Sequence, residues 1–311
     1  PPANHTPPTP ISSRQGIGLF LEQEYTPLAR LTLLAGFRFD NIVSLAENTP
    51  GTLADKEMEI SNSDWSGNLG ILYRLTDDTR LSLNIGKAFS APTLQERFFR
   101  GTAQVGYLTG NPDLESEQSL NFDAGIKWDN ATMSGEISIF RNMVNNFIVM
   151  NPVSAAADSF MYANVGKALL RGGEFHNRYT LSPYTGFFMN LSYVHAEDVN
   201  TDSPLPKIPP FQAVTGFRFS SADRHLWANV AAEIFADQDR VAENEQKTPG
   251  YTLLNISAGI KLKNVAFLSF PVEAVMNIRN LLNRSYRNHM STVTWREAPG
   301  RNISITLKGN F

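Results

Sequence analysis

Three features of the sequence predict an all-β chain folded as a transmembrane, up-and-down antiparallel β-barrel. Apolar residues recur at every second position, the alternating segments are long enough to cross a bilayer, and long connections alternate with short ones. A strand points successive side chains to opposite faces, so period-two alternation gives each segment one oily face and one polar face.

The segments follow in order. Pro1–Gln15 begins PPANHTPPTP, with five prolines in ten residues. Proline cannot donate to a ladder, and the stretch reads as a flexible Pro-rich lead-in. Gly16–Tyr25 is a strand with a less clean pattern. Leu31, Leu33, Ala35, Phe37 and Phe39 then alternate with Thr32, Gly36, Arg38 and Asp40. Trp65, Leu69, Ile71 and Tyr73 oppose Ser66, Asn68, Gly70 and Arg74, and Leu81, Leu83 and Ile85 oppose Ser82, Asn84 and Gly86. Leu120, Phe122, Ala124, Ile126 and Trp128 oppose Asn121, Asp123, Gly125 and Lys127. Ile137 and Ile139 alternate with Glu136 and Ser138, and Tyr162–Tyr179 is again less regular. Phe187–Tyr193, Phe211–Phe219, Leu226–Ile234, Thr252–Leu262 and Val272–Ile278 repeat the dyad, and Arg301–Phe311 closes with it.

This gives about thirteen strands, most of about ten residues or more, where a tilted spanning strand needs about 9–11 and a soluble one about 5–6. Phe39, Phe89, Trp128, Tyr193 and Phe219 lie at strand ends, where an interfacial girdle belongs. A soluble sandwich would show the same alternation. The connections separate the two. Thr76–Thr79, Asp129–Ala131, Leu181–Pro183 and Ser221–Arg224 are tight, whereas Ser44–Ser63, Ser90–Glu117, Asp237–Pro249 and Ser285–Pro299 are long. Short turns on one side and long loops on the other mark an up-and-down barrel.

Composition narrows the function. The 311 residues carry a net charge of −3 and no cysteine, which excludes disulfide scaffolds and thiolate metal sites and gives no reason to expect nucleic acid. No cofactor is implied. The five histidines are scattered without metal-ligand spacing and read as surface or interface groups. No GxSxG, phosphate loop or recognisable triad is present, so the chain does not read as an enzyme. Gly172–Gly173 reads as a bend or bulge within a strand.

Several segments resemble those of TonB-dependent outer-membrane receptors. LFLEQEYTPLARLTLLAGFRFDN (Leu19–Asn41) is similar to their first recognisable strand pair. GKAFSAPTLQERFF (Gly86–Phe99) and GNPDLESEQSLNFDAGIKW (Gly110–Trp128) resemble the family's FRAPT and NPNL segments. YANVGKALLRGGEF (Tyr162–Phe175) and NIRNLLNRSYRN (Asn277–Asn288), followed by Pro299–Arg301 and a terminal Phe311, complete the order from about Gly16 onward. The resemblance implies a barrel of about 22 strands around an amino-terminal plug. It also implies a bacterial outer-membrane location, import of a ferric siderophore or similar scarce ligand, and energy from the TonB–ExbB–ExbD complex acting on the plug. Phe311 would be the signal read by the barrel assembly machinery. No plug or TonB box is found here, and about thirteen strands fall short of about 22. Residues 16–311 therefore read as the carboxy-terminal part of a receptor barrel set in outer-membrane lipid, stable as a channel only beside its missing strands. A passive porin-like channel and a soluble or adhesive β-protein are the alternatives.

The loop Ser90–Glu117 holds the leading ligand-binding residues. Arg97, Phe98, Phe99, Arg100 and Tyr107 mix guanidinium and aromatic groups, which suit the anionic and planar parts of ferric siderophores. Trp295 and Arg296 form a weaker set of the same kind. Heme receptors of the family place a histidine between the two loop motifs, and Phe89–Leu114 has none.

Overall fold

The computed structural model describes residues 7–104, 106–153, 159–243, 245–262, 272–291 and 296–309. Its elements, in chain order, are β1 (Ser12–Leu28), β2 (Leu31–Ala46), β3 (Met58–Arg74), β4 (Thr79–Ser90), α1 (Leu94–Phe98), β5 (Arg100–Ala103), β6 (Gly106–Thr109) and β7 (Glu117–Asp129). There follow β8 (Met133–Pro152), β9 (Ser159–Ser182), β10 (Thr185–Asp198), β11 (Ser203–Pro204), β12 (Gln212–Ser220), β13 (Leu226–Phe235), β14 (Tyr251–Leu262), β15 (Val272–Arg279) and β16 (Asn302–Gly309). One sheet holds them all. Its main path runs β1-β2-β3-β4-β7-β8-β9-β10-β12-β13-β14-β15-β16, every neighbour following in sequence, with β5, β6 and β11 attached outside it. Each pairing along the path is antiparallel. The wall is an up-and-down meander of thirteen strands, as the alternation predicts. Among the described residues no helix is long and apolar enough to cross a membrane.

Register makes the two faces continuous. One row of opposed residues reads Leu33, Ile71, Leu83, Ala124, Ile139, Gly173 and Tyr193 across seven strands. Another reads Phe187, Phe217, Val230, Ile256, Ile278 and Ile303 across six. On the opposite parity, Gly36, Asn68, Gly86, Asn121 and Asn142 form one row, and Arg218, Asn229, Ser257, Asn277 and Ser304 another. A slip of one residue would turn each oily set onto the polar face, so the pattern holds the register.

Among the described residues no second sheet covers the apolar face. Leu69 is 63% exposed, Ile139 59% and Ile305 72%, values that a sandwich core would bring near zero. Patches of this extent on a soluble protein would promote association, whereas a wall facing hydrocarbon requires them. The clusters of buried apolar residues lie elsewhere, where loops pack on the strand ends. Ala46, Ala54 and Phe98 form one, and Val144, Ala168, Ala196 and Leu205 the other.

The strands depart from the sequence reading at their loop ends. β1 begins at Ser12, inside the supposed lead-in, and the Arg100 amide donates to the Pro8 carbonyl. The stretch 1–15 is therefore not flexible throughout, and residues 1–6 lie outside the described residues. β3 starts at Met58, β8 reaches Pro152 and β9 is 24 residues long. Where both faces are wet the oily dyad fades, yet the backbone ladder continues, so alternation underestimates these strands. Gly172–Gly173 forms neither bend nor bulge: both residues keep register with β8 and β10. The glycine instead leaves room for a ring. A Cβ on Gly172 would lie 2.6 Å from Cζ of Phe140 and would also meet the Tyr193 carbonyl oxygen. Phe188 over Gly216 repeats the arrangement, an aromatic ring on one strand filling the space above a glycine on the next.

Gly172→Leu should therefore lower the stability of the folded wall by about 1–3 kcal/mol. Gly186→Ala, where the nearest atom to a Cβ is 3.6 Å away, should change it by less than about 0.5 kcal/mol. The temperature at which the folded band converts to the unfolded band on a semi-native gel measures both. Equal shifts for the two would contradict the packing account.

Candidate functional site

The long loops of β2–β3, β4–β7, β8–β9, β10–β12, β13–β14 and β15–β16 all emerge at one end of the meander. The β4–β7 loop is the most structured. Thr93 caps α1, accepting from the Glu96 amide while the Glu96 carboxylate accepts from the Thr93 amide. This reciprocal box satisfies two of the orphan donors at the start of the helix. It also turns Arg97 and Phe98 inward. Phe98 is fully buried against Ala46 and Ala54, with Met58, Ile60 and Leu94 around it. Arg97 is 1% exposed. Its guanidinium donates to the Pro112 carbonyl and, at 3.1 Å, to Asn62 Oδ1 on β3. Burial lowers its pKa from the ordinary arginine value, and Arg14 adds to the shift.

Arg97 and Phe98 are thus corrected from ligand contacts to the internal supports of the loop. The alternation of polar and aromatic types in ERFFR shows no direction in a segment without strand or long-helix periodicity. Only the capping box fixes which side chains turn in. Gly110 closes the other side, where a Cβ would lie 2.6 Å from the Arg97 carbonyl oxygen. Beyond it, β5 and β6 form a hairpin, and β6 also pairs parallel with β9 at Ser159–Met161. The loop is therefore fastened to a wall strand by backbone bonds. Arg100 and Tyr107 stand exposed on this platform and Phe99 is half-buried. Arg296 is exposed in the β15–β16 loop, while Trp295 and Phe311 lie outside the described residues.

A second assembly joins three further loops, and the sequence gives little sign of it. Glu245 in the β13–β14 loop accepts from the Lys207 amide at 3.1 Å and 3.3 Å through its two oxygens. The Lys207 ammonium donates to the His289 and Ser291 carbonyls at 3.4 Å and 3.1 Å. His289 is buried rather than superficial, 5% exposed. Its Nδ1 lies 3.1 Å from Thr248 Oγ1, and its Nε2 lies 3.3 Å from Glu245 Oε1 without hydrogen-bond geometry. Burial pushes the imidazole pKa down, against the raising effect of Glu245. Nearby, Arg240 donates to Glu197 Oε2 at 2.7 Å and to the Ala196 carbonyl at 3.1 Å, and His195 Nε2 lies 2.8 Å from the same carboxylate. Lys207, Glu245 and His289 are far apart in the chain. The His195–Glu197 spacing on one strand face is the single local clue.

The polar face of the wall is also engaged. Arg38 pairs with Asp40 at 2.6 Å and 2.7 Å, Arg218 donates to Asn229 at 3.2 Å, and Trp227 donates to Glu273 at 3.1 Å. Among the described residues no group of three His, Cys, Asp or Glu side chains is placed to hold a metal ion. The arrangement is an interlocked frame that leaves polar and aromatic side chains, Arg100 and Tyr107 among them, exposed at the loop end.

Two outcomes follow. Arg97→Ala strands the Pro112 carbonyl and Asn62 in a dry site, at a cost of about 3 kcal/mol. Hydrogen exchange across residues 91–116 should rise while that of the wall strands is unchanged, and Arg100→Ala should leave it unaltered. Because His289 is held neutral, its contribution to stability is complete above the ordinary histidine pKa and is lost as pH falls through the lowered one. Exchange protection in segments 242–248 and 286–291, measured relative to the intrinsic rate at each pH, should therefore fall below about pH 6, and His289→Gln should flatten that dependence.

Comparison with known proteins agrees with this frame. Residues 1–281 match the family model for the TonB dependent receptor-like β-barrel. The TonB-dependent heme receptor A of Haemophilus ducreyi is 24% identical over 96% of this chain and 46% of its own length. The ferrienterobactin receptor of Escherichia coli is 28% identical over 52% of this chain and 24% of its own. The structure of the copper transporter OprC superposes with a TM-score of 0.82 at 19% identity, covering 95% of this chain and 49% of that one. The chain spans about half the length, or less, of these relatives. The continuous two-faced meander, its one-sided loops and the family match together place the chain in the TonB-dependent receptor family, as part of the β-barrel.

Proposed function

We propose that residues 16–311 are the carboxy-terminal part of the barrel of a bacterial outer-membrane receptor that binds a ferric siderophore and imports it with energy delivered by the TonB–ExbB–ExbD complex. The plug through which that energy acts would belong to the rest of the receptor. Phe311 would serve the barrel assembly machinery, and outer-membrane lipid would meet the oily face. One observation carries the ligand reading: the β4–β7 loop is a pinned platform whose outward side chains include Arg100 and Tyr107. A guanidinium and a phenol ring suit the anionic, planar faces of a ferric catecholate. Ligand contacts on a pre-organised loop lose less entropy on binding than contacts on a mobile one. Transport of this kind needs no chemistry in the wall.

Heme is the second reading, favoured by the heme receptor that aligns with 96% of this chain. Two observations weigh against it. The segment 89–114 has no histidine, and toward the loop end His289 is buried while His195, on β10, is held by Glu197.

Uptake separates them. The full-length receptor, expressed in an iron-starved strain lacking its own receptors, should support growth on ferric enterobactin and not on heme. Arg100→Ala with Tyr107→Ala should reduce labelled-iron uptake about tenfold, equivalent to about 1.4 kcal/mol, with surface expression unchanged. Growth on heme alone would overturn the siderophore assignment.

A further inference from the structure

From the short-turn end upward, the apolar face of β4, β7, β8 and β9 carries no charged side chain until Lys87, Arg141 and Arg171 are reached. Lys87 is provided for: it pairs with Asp64 at 2.5 Å and lies 4.3 Å from the Trp65 ring centre. The two arginines are not. They oppose each other directly across β8 and β9, where like charges repel. Arg141 makes no hydrogen bond or ion pair among the described residues. Among the described residues Arg171 has only Glu197, at 3.8 Å, and that carboxylate already holds Arg240 and His195 at 2.7 Å and 2.8 Å.

Directly below Arg141 the same face is hollow. A groove of about 590 Å³ runs over Ala124, walled by Ile71, Leu83, Ile85, Phe122 and Ile139, with Arg141 at its upper rim. A second groove near the short-turn end, over Ala228, Ala258 and Ala274, is also walled with apolar side chains, but among the described residues none of those lining it is a cation. Only the first joins an oily channel to unneutralised positive charge.

We infer that this is a binding site for one membrane lipid with a phosphomonoester headgroup: an acyl chain lies in the groove and Arg141 and Arg171 clasp the phosphate. Guanidinium groups bind phosphate oxygens in bidentate fashion, and an anion between them removes the repulsion across the ladder. The inference rests on the membrane reading proposed above, since the groove must face lipid.

The test uses the full-length receptor purified in dodecyl maltoside, with native mass spectrometry as the readout. Dioleoyl phosphatidic acid, dioleoyl phosphatidylcholine and inorganic phosphate are the probes. One phosphatidic acid should bind with about tenfold preference over phosphatidylcholine, and inorganic phosphate at equal concentration should not displace it. Arg141→Gln with Arg171→Gln should abolish the preference, whereas Arg141→Lys with Arg171→Lys should retain most of it. Ala124→Trp should weaken phosphatidic acid binding with both arginines in place. Heat-modifiable migration on gels confirms that each variant folds, and the lysine pair supplies the comparison if the glutamine pair does not. A preference that survives the glutamine pair would overturn the site, as would displacement by inorganic phosphate or equal binding of both lipids by the native protein. Those results leave the membrane reading standing, because that reading fails on a different observation, a receptor that stays dissolved without detergent.

Discussion

The backbone ladder is the constraint on which the rest of this structure depends. A wall that shows Leu69 and Ile139 to its surroundings has side chains there that offer the backbone beneath them no polar partner, so the amide groups of those strands are satisfied within the sheet. The antiparallel meander meets this by giving each inner strand two neighbours. β1 and β16 stand at the two ends of the path, and almost all their residues are exposed. Side-chain alternation then follows from the pleat, and register keeps the alternation coherent over the whole wall.

Against that uniform wall, the loops behave like small soluble domains. Their stability comes from buried apolar contacts, some of them made onto β8, β9 and β10, and from enclosed polar networks. Phe98 and Arg97 anchor the β4–β7 loop from within, while Glu245 ties three other loops through Lys207 and His289. A surface built this way can vary its exposed residues, such as Arg100 and Tyr107, while its supports stay fixed. Exposed and supporting side chains share one short segment: Arg97 and Phe98 are buried, whereas Arg100 is exposed.

Much of the wall was legible in the sequence because its governing signal has the shortest possible period. Leu120–Trp128 and Phe187–Tyr193 announce both face and direction within a few residues. The strand extensions at Met58 and Pro152 were not legible, since a strand wet on both faces loses the dyad. Nor was the aromatic filling above Gly172, which requires knowing that Phe140 lies opposite. The candidate site was legible only in part. Loop position and residue type drew attention to this loop, in which Arg100 and Tyr107 are exposed, but the inward turn of Arg97 depends on a cap and on Asn62, distant in sequence. The Lys207–Glu245–His289 assembly had no local signature at all.

The strands differ greatly in length: β8 and β9 run 20 and 24 residues, whereas β12 and β13 run 9 and 10. At roughly 3.4 Å per residue, the taller pair is longer by some 30–50 Å of ladder. With the short turns near one level, that excess stands up on the loop side like a parapet on one flank of a well. In the path β9 and β12 are separated by β10 alone, so the loop-side rim of the wall drops steeply within two strands instead of running level.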